Sequence, residues 1–210
     1  MEILEQIAAR LERGEDNEVR SLTQSAMDRS LPAPKILEEG LLAGMQVVGD
    51  RFRAHEIFLP EVLLAARAMS AGVEILEPHL GKTDLHSRGK VVIGTVKGDL
   101  HDIGKNLVGI MLSGAGFEVI DLGKDVSPQQ FVDTARDSGA DVIGMSALLT
   151  TTMPAMKQVI SLLKEQGLDS SVRTMIGGAP VTEDYAREIG ADGYGFDAAN
   201  AVECVRELVG

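Results

Sequence analysis

Apolar positions recur at helical spacing through about the first 80 residues. Ile3, Leu4, Ile7, Ala8 and Leu11 make one stripe, which Gly14-Glu15-Asp16 interrupts. Val19, Leu22, Ala26 and Met27 make a second. Ser30-Leu31-Pro32-Ala33-Pro34 reads as a turn, because two closely spaced prolines do not fit inside a helix. Leu37, Leu41, Leu42, Met45 and Val48 form a third stripe. Pro60 then sits where a helix tolerates proline, in its first turn, and Leu63, Leu64, Met69, Val73 and Leu76 run on to Pro78. Four helices with short connections predict an antiparallel bundle.

A polar stretch bounded by Gly81 and Gly89 follows, and beyond it the period changes. Val91-Val92-Ile93 is a short β-branched run of the kind found in strands buried on both faces. Similar runs occur at 117–120, 141–145, 172–176 and, more weakly, 193–196. Helical stretches separate them at 106–113, 128–138, 153–165, 183–189 and 199–209. The pattern predicts a Rossmann-like (flavodoxin-like) α/β domain, with a five-stranded parallel sheet covered on both sides. The usual strand order for such a sheet is 2-1-3-4-5. The expected division is a helical bundle over residues 1–81, a linker over 82–89, and the α/β domain over 90–210.

Composition narrows the function classes. Lys plus Arg is 20 against 32 for Asp plus Glu, a net charge of −12. Nonspecific nucleic-acid binding rests on neutralising phosphates, so an acidic chain is poorly suited to it. Aromatic residues make up only 3%, which leaves few platforms for stacking bases. No apolar run is long enough for a membrane span, and the acidic N-terminus lacks the layout of a signal peptide. With Cys204 as the only cysteine, no internal disulfide is available, and a cytoplasmic location is expected.

In an open α/β sheet, ligands bind beyond the carboxyl ends of the strands. After the first strand, Gly98-Asp99-Leu100-His101-Asp102-Ile103-Gly104 sets carboxylates beside one imidazole. A metal-bound histidine usually donates its second ring N–H to a carboxylate, and Asp99 is near enough to turn back and accept it. Gly98 and Gly104 admit unusual backbone angles or the close approach of a bulky ligand. The same residues also suit a capping loop, with Asp99 or Asp102 capping a helix and His101 merely solvated. After the third strand, Ser146, Thr150, Thr151 and Thr152 can line a polar pocket, with Leu148 between them. Thr151 or Thr152 is also expected to cap the following helix. Gly177, Gly178 and Ala179 follow the fourth strand, where an ordinary turn is the competing reading. Phe196, Asp197 and Ala198, after the fifth strand, close the same edge or simply cap the last helix.

Together, Asp99-x-His101-x-x-Gly104, Ser146-x-Leu148 and Gly177-Gly178 on this pattern of strands resemble the B12-binding domain of cobalamin-dependent methyltransferases and mutases. Gly49-Asp50-Arg51-Phe52 and Phe58-Leu59-Pro60-Glu61-Val62 resemble the helical cap of methionine synthase, and more closely the small corrinoid methyl carriers. The resemblance covers essentially the whole chain. It implies a cobamide held with its lower nucleotide base displaced and cobalt bound through His101, the one metal ligand. Asp99 and Thr152 would complete a relay from the imidazole. Gly98, Leu100, Asp102, Ile103, Gly104, Ser146, Leu148, Thr150, Thr151, Gly177, Gly178, Ala179, Tyr194, Asp197 and Ala198 would line the cofactor, and Phe58 would cover its upper face. Release of the imidazole would let the relay take up a proton, and the linker would act as a hinge.

The function so implied is a methyl carrier in one-carbon metabolism with little turnover of its own. Its partners would be a substrate-specific methyltransferase, an acceptor-side methyltransferase serving tetrahydrofolate or a thiol, and a reductive activase. The rivals are a B12-binding sensory or regulatory module, a mutase subunit, and a receiver domain without corrinoid. The first lacks a basic recognition helix, the second does not explain the cap, and the third needs an aspartate where Ser146 stands.

Overall fold

The computed structural model describes residues 2–80 and 88–210, which fall into two compact units. Residues 81–87, most of the expected linker, lie outside the described residues.

The first unit is helical. In α1 (Ile3–Glu12) the buried side chains are Ile3, Leu4, Ile7 and Leu11, one face at the expected spacing. Gly14 turns the chain into α2 (Asp16–Asp28) with φ +68°, and a Cβ there would lie 2.4 Å from the Cβ of Leu64. Glycine is therefore required twice over, by conformation and by space.

The turn expected at Ser30–Pro34 ends sooner than predicted. Helix α3 (Ala33–Ile36) already contains Pro34 in its first turn, where the N–H that proline lacks has no partner to lose. A π-helical segment (Leu37–Leu42) continues it into α4 (Ala43–Arg53), so three pieces form one rod. Leu59–Leu76 forms α5, with Pro60 in its first turn as expected.

The buried face of α5 differs from the expected one. Val62, Ala65, Ala68, Met69, Ala71, Gly72 and Leu76 are buried, whereas Leu63 and Leu64 are 44% and 43% exposed. Close packing decided the face. A Cβ on Gly72 would come within 2.6 Å of Leu41 Cδ2, so the small side chains mark the side where α5 meets its neighbours. Among the described residues no helix is long and apolar enough to cross a membrane.

The second unit is a parallel sheet in the order β2-β1-β3-β4-β5, as expected. Its strands are β1 (Lys90–Thr95), β2 (Glu118–Asp121), β3 (Val142–Ser146), β4 (Arg173–Gly177) and β5 (Gly193–Gly195). The helices between and after them are α6 (Ile103–Gly114), α7 (Pro128–Ser138), α8 (Pro154–Glu165), α9 (Glu183–Ile189) and α10 (Ala198–Val209). Val91, Val92, Ile143 and Ile176 are fully buried in the central strands, with Phe131 and Met156 packed from the helices.

The register Thr95↔Ser146 and Ser146↔Gly177 brings the carboxyl ends of β1, β3 and β4 level. Several ends differ from the sequence expectation. Ser146 closes β3 instead of opening the loop, β2 ends at Asp121, and α6 starts at Ile103 instead of Asn106. Gly104 therefore belongs to a helix.

Candidate functional site

The level strand ends place the β1–α6 loop beside the β3–α8 loop, and Asp99 joins them. Its side chain has no exposed surface. Oδ1 accepts from the His101 backbone N–H at 3.1 Å and lies 2.7 Å from His101 Nδ1. Oδ2 accepts from the N–H groups of Leu148 at 2.8 Å and Leu149 at 3.2 Å, and from the Thr152 hydroxyl at 2.8 Å. A carboxylate offers about four lone-pair directions, so this one is saturated. Burial pushes the Asp99 carboxyl up. The N–H groups of His101 and Leu148, the imidazole and the Thr152 hydroxyl outweigh burial and hold it well below the usual carboxylate range.

An ionised Asp99 can only accept, so the hydrogen between it and His101 sits on Nδ1. With that hydrogen on Nδ1, Nε2 is the ring nitrogen that can offer a lone pair to a ligand. His101 is half-exposed, and its backbone is held as well, since the Thr95 hydroxyl donates to its carbonyl at 2.9 Å.

Leu100, Ile103, Leu148, Leu149 and Phe196 stand around this edge, each between 42% and 78% exposed. Apolar groups gathered about one polar ligand are typical of sites for small molecules. Gly104 adds a sharper sign. It lies in the first turn of α6 without a positive φ, and a Cβ there would meet nothing within 4 Å. Neither conformation nor packing by the chain itself calls for glycine there, and a closely approaching ligand would.

The other expected residues divide into groups. Gly98, with φ +84°, precedes Asp99, and Asp102 lies 3.8 Å from Lys124 Nζ while its carbonyl accepts the Asn106 N–H at 2.8 Å. Thr150 and Thr151 are exposed, and Ser146 is half-buried. Gly177 accepts from Ala147 N–H at 3.2 Å. Gly178 has φ +127° and passes so close that a Cβ would lie 1.9 Å from the Ala147 carbonyl oxygen. The glycine pair thus backs the β3 loop, and Ala179 beside it is exposed.

Tyr194 is partly buried and donates to the Val181 carbonyl at 3.0 Å. Asp197 accepts from Asn200 N–H at 2.7 Å and caps α10, which begins at Ala198. Phe58 belongs to the helical unit, where it is 65% exposed ahead of α5.

One expectation fails here. Neither Thr151 nor Thr152 caps α8, which starts from Met153 without a side-chain cap. The Thr152 hydroxyl turns instead to Asp99 and to the Leu149 carbonyl, both at 2.8 Å.

The sequence reading also missed the loop after β2. Asp121 pairs with the buried Lys105 ammonium, which also donates to Asn106 Oδ1 at 2.6 Å. Asp125 Oδ1 accepts from Gly98 N–H at 2.8 Å. The signal was available, because Asp121-Leu122-Gly123-Lys124-Asp125 follows a strand at the same sheet edge.

Family models for the B12 binding domain match residues 89–203 and residues 3–77. A corrinoid protein of Desulfitobacterium hafniense is 43% identical over 100% of this chain and 99% of its own. Dimethylamine corrinoid protein 1 of Methanosarcina acetivorans is 46% identical over 99% of this chain and 98% of its own. Among solved structures, a cobalamin-binding protein from Desulfitobacterium hafniense superposes with a TM-score of 0.81 at 32% identity, covering 99% of this chain and 98% of that one. The methanol:cobalamin methyltransferase complex of Methanosarcina barkeri contains a chain that matches with a TM-score of 0.89 at 32% identity, covering 99% of this chain and 79% of that one.

Proposed function

This chain belongs to the corrinoid proteins built on the B12 binding domain, and from that premise we propose that it carries a methyl group on a cobamide between two methyltransferases. The observation that carries the reading is the His101 imidazole, fixed through Nδ1 by a buried carboxylate with Nε2 left for a metal. Among the described residues no group of three His, Cys, Asp or Glu side chains could hold a bare ion. A single imidazole suits a metal that brings most of its own ligands. The space over Gly104 and the apolar rim fit a bulky, largely apolar group.

When bound, the cobamide supplies a cobalt that takes up and gives back the methyl group. His101 would ligate it through Nε2. Asp99 orients the ring through Nδ1. Thr152 and the two loop N–H groups hold Asp99 ionised. Nε2, at the end of the His101–Asp99–Thr152 unit, could hold either the metal or a proton. Ser146, Leu148 and Thr150 would line the nucleotide tail, Gly177 and Gly178 would let it pass, and Thr151, Ala179, Tyr194, Asp197 and Ala198 would contribute to the rest of the cofactor site.

The dimethylamine relatives and the methanol complex support a donor-side partner that demethylates a small methylated amine or alcohol. The acceptor-side partner would pass the methyl group to tetrahydrofolate or a thiol, and a reductive activase would restore the carrier. A cytoplasmic location suits the lone Cys204, whose thiol burial pushes up. No observation favours the sensory reading.

The test is reconstitution of the purified chain with hydroxocobalamin, followed by its visible spectrum. A coloured complex with the lower base displaced is expected, and His101→Ala should convert it to a His-off form. A chain that takes up no cobamide would sink the proposal, and an unchanged spectrum in His101→Ala would remove the ligand role.

A further inference from the structure

The loop after β2 grips the ligand loop at two peptide groups, one on each side of the Asp99 side chain. Gly98 N–H donates to Asp125 Oδ1 at 2.8 Å. The backbone N–H of Asp125 donates to the Asp99 carbonyl at 3.0 Å. The Lys97–Gly98 and Asp99–Leu100 peptides are thus held from this loop, and the peptide between them is held by Asp99 N–H donating to the Val96 carbonyl at 3.1 Å, so the direction in which Asp99 leaves the backbone is set. That direction determines where its carboxylate meets His101 Nδ1.

Asp125 adopts φ +56°, one of three non-glycine residues with positive φ among those described. Aspartate tolerates this region better than most residues, yet glycine would adopt it at less cost. An aspartate there makes sense for what its carboxylate does. Besides Gly98 it meets Lys97 Nζ, with Oδ1 at 3.0 Å and Oδ2 at 3.1 Å. Those bonds hold the Asp125 carboxyl below its ordinary range, the Gly98 N–H contributing most. The parallel bridge Val96↔Val126 and the bond from Val126 N–H to the Thr95 carbonyl at 3.0 Å fix the two loops to each other at their base.

We propose that Asp125 is a positioning residue for the corrinoid-ligating loop, acting through Gly98 and Asp99 to hold His101 in its ligating orientation. This rests on the reading of His101 as the cobalt ligand. The hydrogen bonds of Asp125 go to Lys97, Gly98 and Asp99, so its effect on the metal passes through the backbone of Gly98 and Asp99.

The test compares Asp125→Gly, Asp125→Asn and His101→Ala in the full chain reconstituted with hydroxocobalamin. Asp125→Gly keeps the backbone conformation and removes the side-chain acceptor. Asp125→Asn keeps both the conformation and an oxygen for Gly98 N–H. The readouts are the His-on visible spectrum and cobamide affinity, with thermal unfolding of the cobamide-free chain as the control for folding. The expected result is loss of the His-on signature in Asp125→Gly and about 10- to 100-fold weaker binding, the usual effect of removing a group that orients a metal ligand. Asp125→Asn should stay close to the unsubstituted protein. An unchanged spectrum and affinity in Asp125→Gly overturns the proposal, as does an equal loss in Asp125→Asn. If His101→Ala also leaves the spectrum unchanged, the ligation reading itself has failed. If only His101→Ala changes it, this proposal alone falls.

Discussion

His101 Nδ1 lies 2.7 Å from Oδ1 of Asp99, a carboxylate with no exposed surface that accepts from two different loops. One side chain therefore orients the imidazole and fastens the β3 loop to the β1 loop. Asp99→Asn keeps the size but replaces one acceptor oxygen with a donor, which must then face an N–H or the Thr152 hydroxyl. The cobamide-free chain should lose roughly 3 kcal/mol of stability, the range for breaking charge-assisted hydrogen bonds at a buried site. Urea denaturation measures this, and a loss below about 0.5 kcal/mol would mean that Asp99 does not fasten the loops.

Acid should remove the same contribution. The folded-state Asp99 carboxyl is held below its ordinary value. Its stabilisation is therefore complete above the unfolded pKa of about 3.9 and is lost as pH falls towards the folded value. Asp99→Asn cannot titrate there. The stability gap between the two cobamide-free proteins should hold from about pH 7 to about pH 5 and close only at lower pH. Urea midpoints across that range test it, and a gap that stays constant into strong acid contradicts the assignment.

Thr152 separates hydroxyl from shape. Its single hydrogen faces two acceptors at 2.8 Å, Asp99 Oδ2 and the Leu149 carbonyl. Thr152→Val keeps the branched shape and removes the donor, and it should cost about 1–2 kcal/mol and weaken the His-on spectrum. Thr152→Ser keeps the hydroxyl and should preserve the spectrum. Equal behaviour of the two variants would assign Thr152 to packing alone.

The order 2-1-3-4-5 was only the usual one for such a sheet, whereas the five-stranded α/β pattern and the Asp99–His101 pair were legible because each rests on a local signal. One is the alternation of β-branched runs with helical stretches, the other a two-residue spacing. The buried face of α5 was not legible, because leucines suggest burial by size while Ala65, Ala68 and Gly72 decide it by fit. The start of α6 was hidden for a related reason. Ile103 and Gly104 carry no helix signal of their own, since one is 78% exposed and the other is the weakest helix former after proline. The position of Asp125 at the sheet edge was legible but its partner was not, because the bond to Gly98, 27 residues away, needs the pairing of β1 with β2 to bring the two near.

Two glycines of the site should respond oppositely to the same substitution. At Gly178 a Cβ would lie 1.9 Å from the Ala147 carbonyl oxygen, and φ is +127°, so Gly178→Ala should cost roughly 3 kcal/mol in the cobamide-free chain. At Gly104 the backbone is helical and the space is open. Gly104→Ala should therefore stabilise the cobamide-free chain by about 0.5–1 kcal/mol, through helix propensity and a less flexible unfolded state. If a ligand occupies the space over Gly104, the same methyl group must weaken cobamide binding. Stability and affinity would then move in opposite directions in one variant. Urea denaturation without cobamide and titration with hydroxocobalamin measure the two sides. A Gly104→Ala chain that is more stable and binds as well as before would show that the glycine leaves no room the ligand needs.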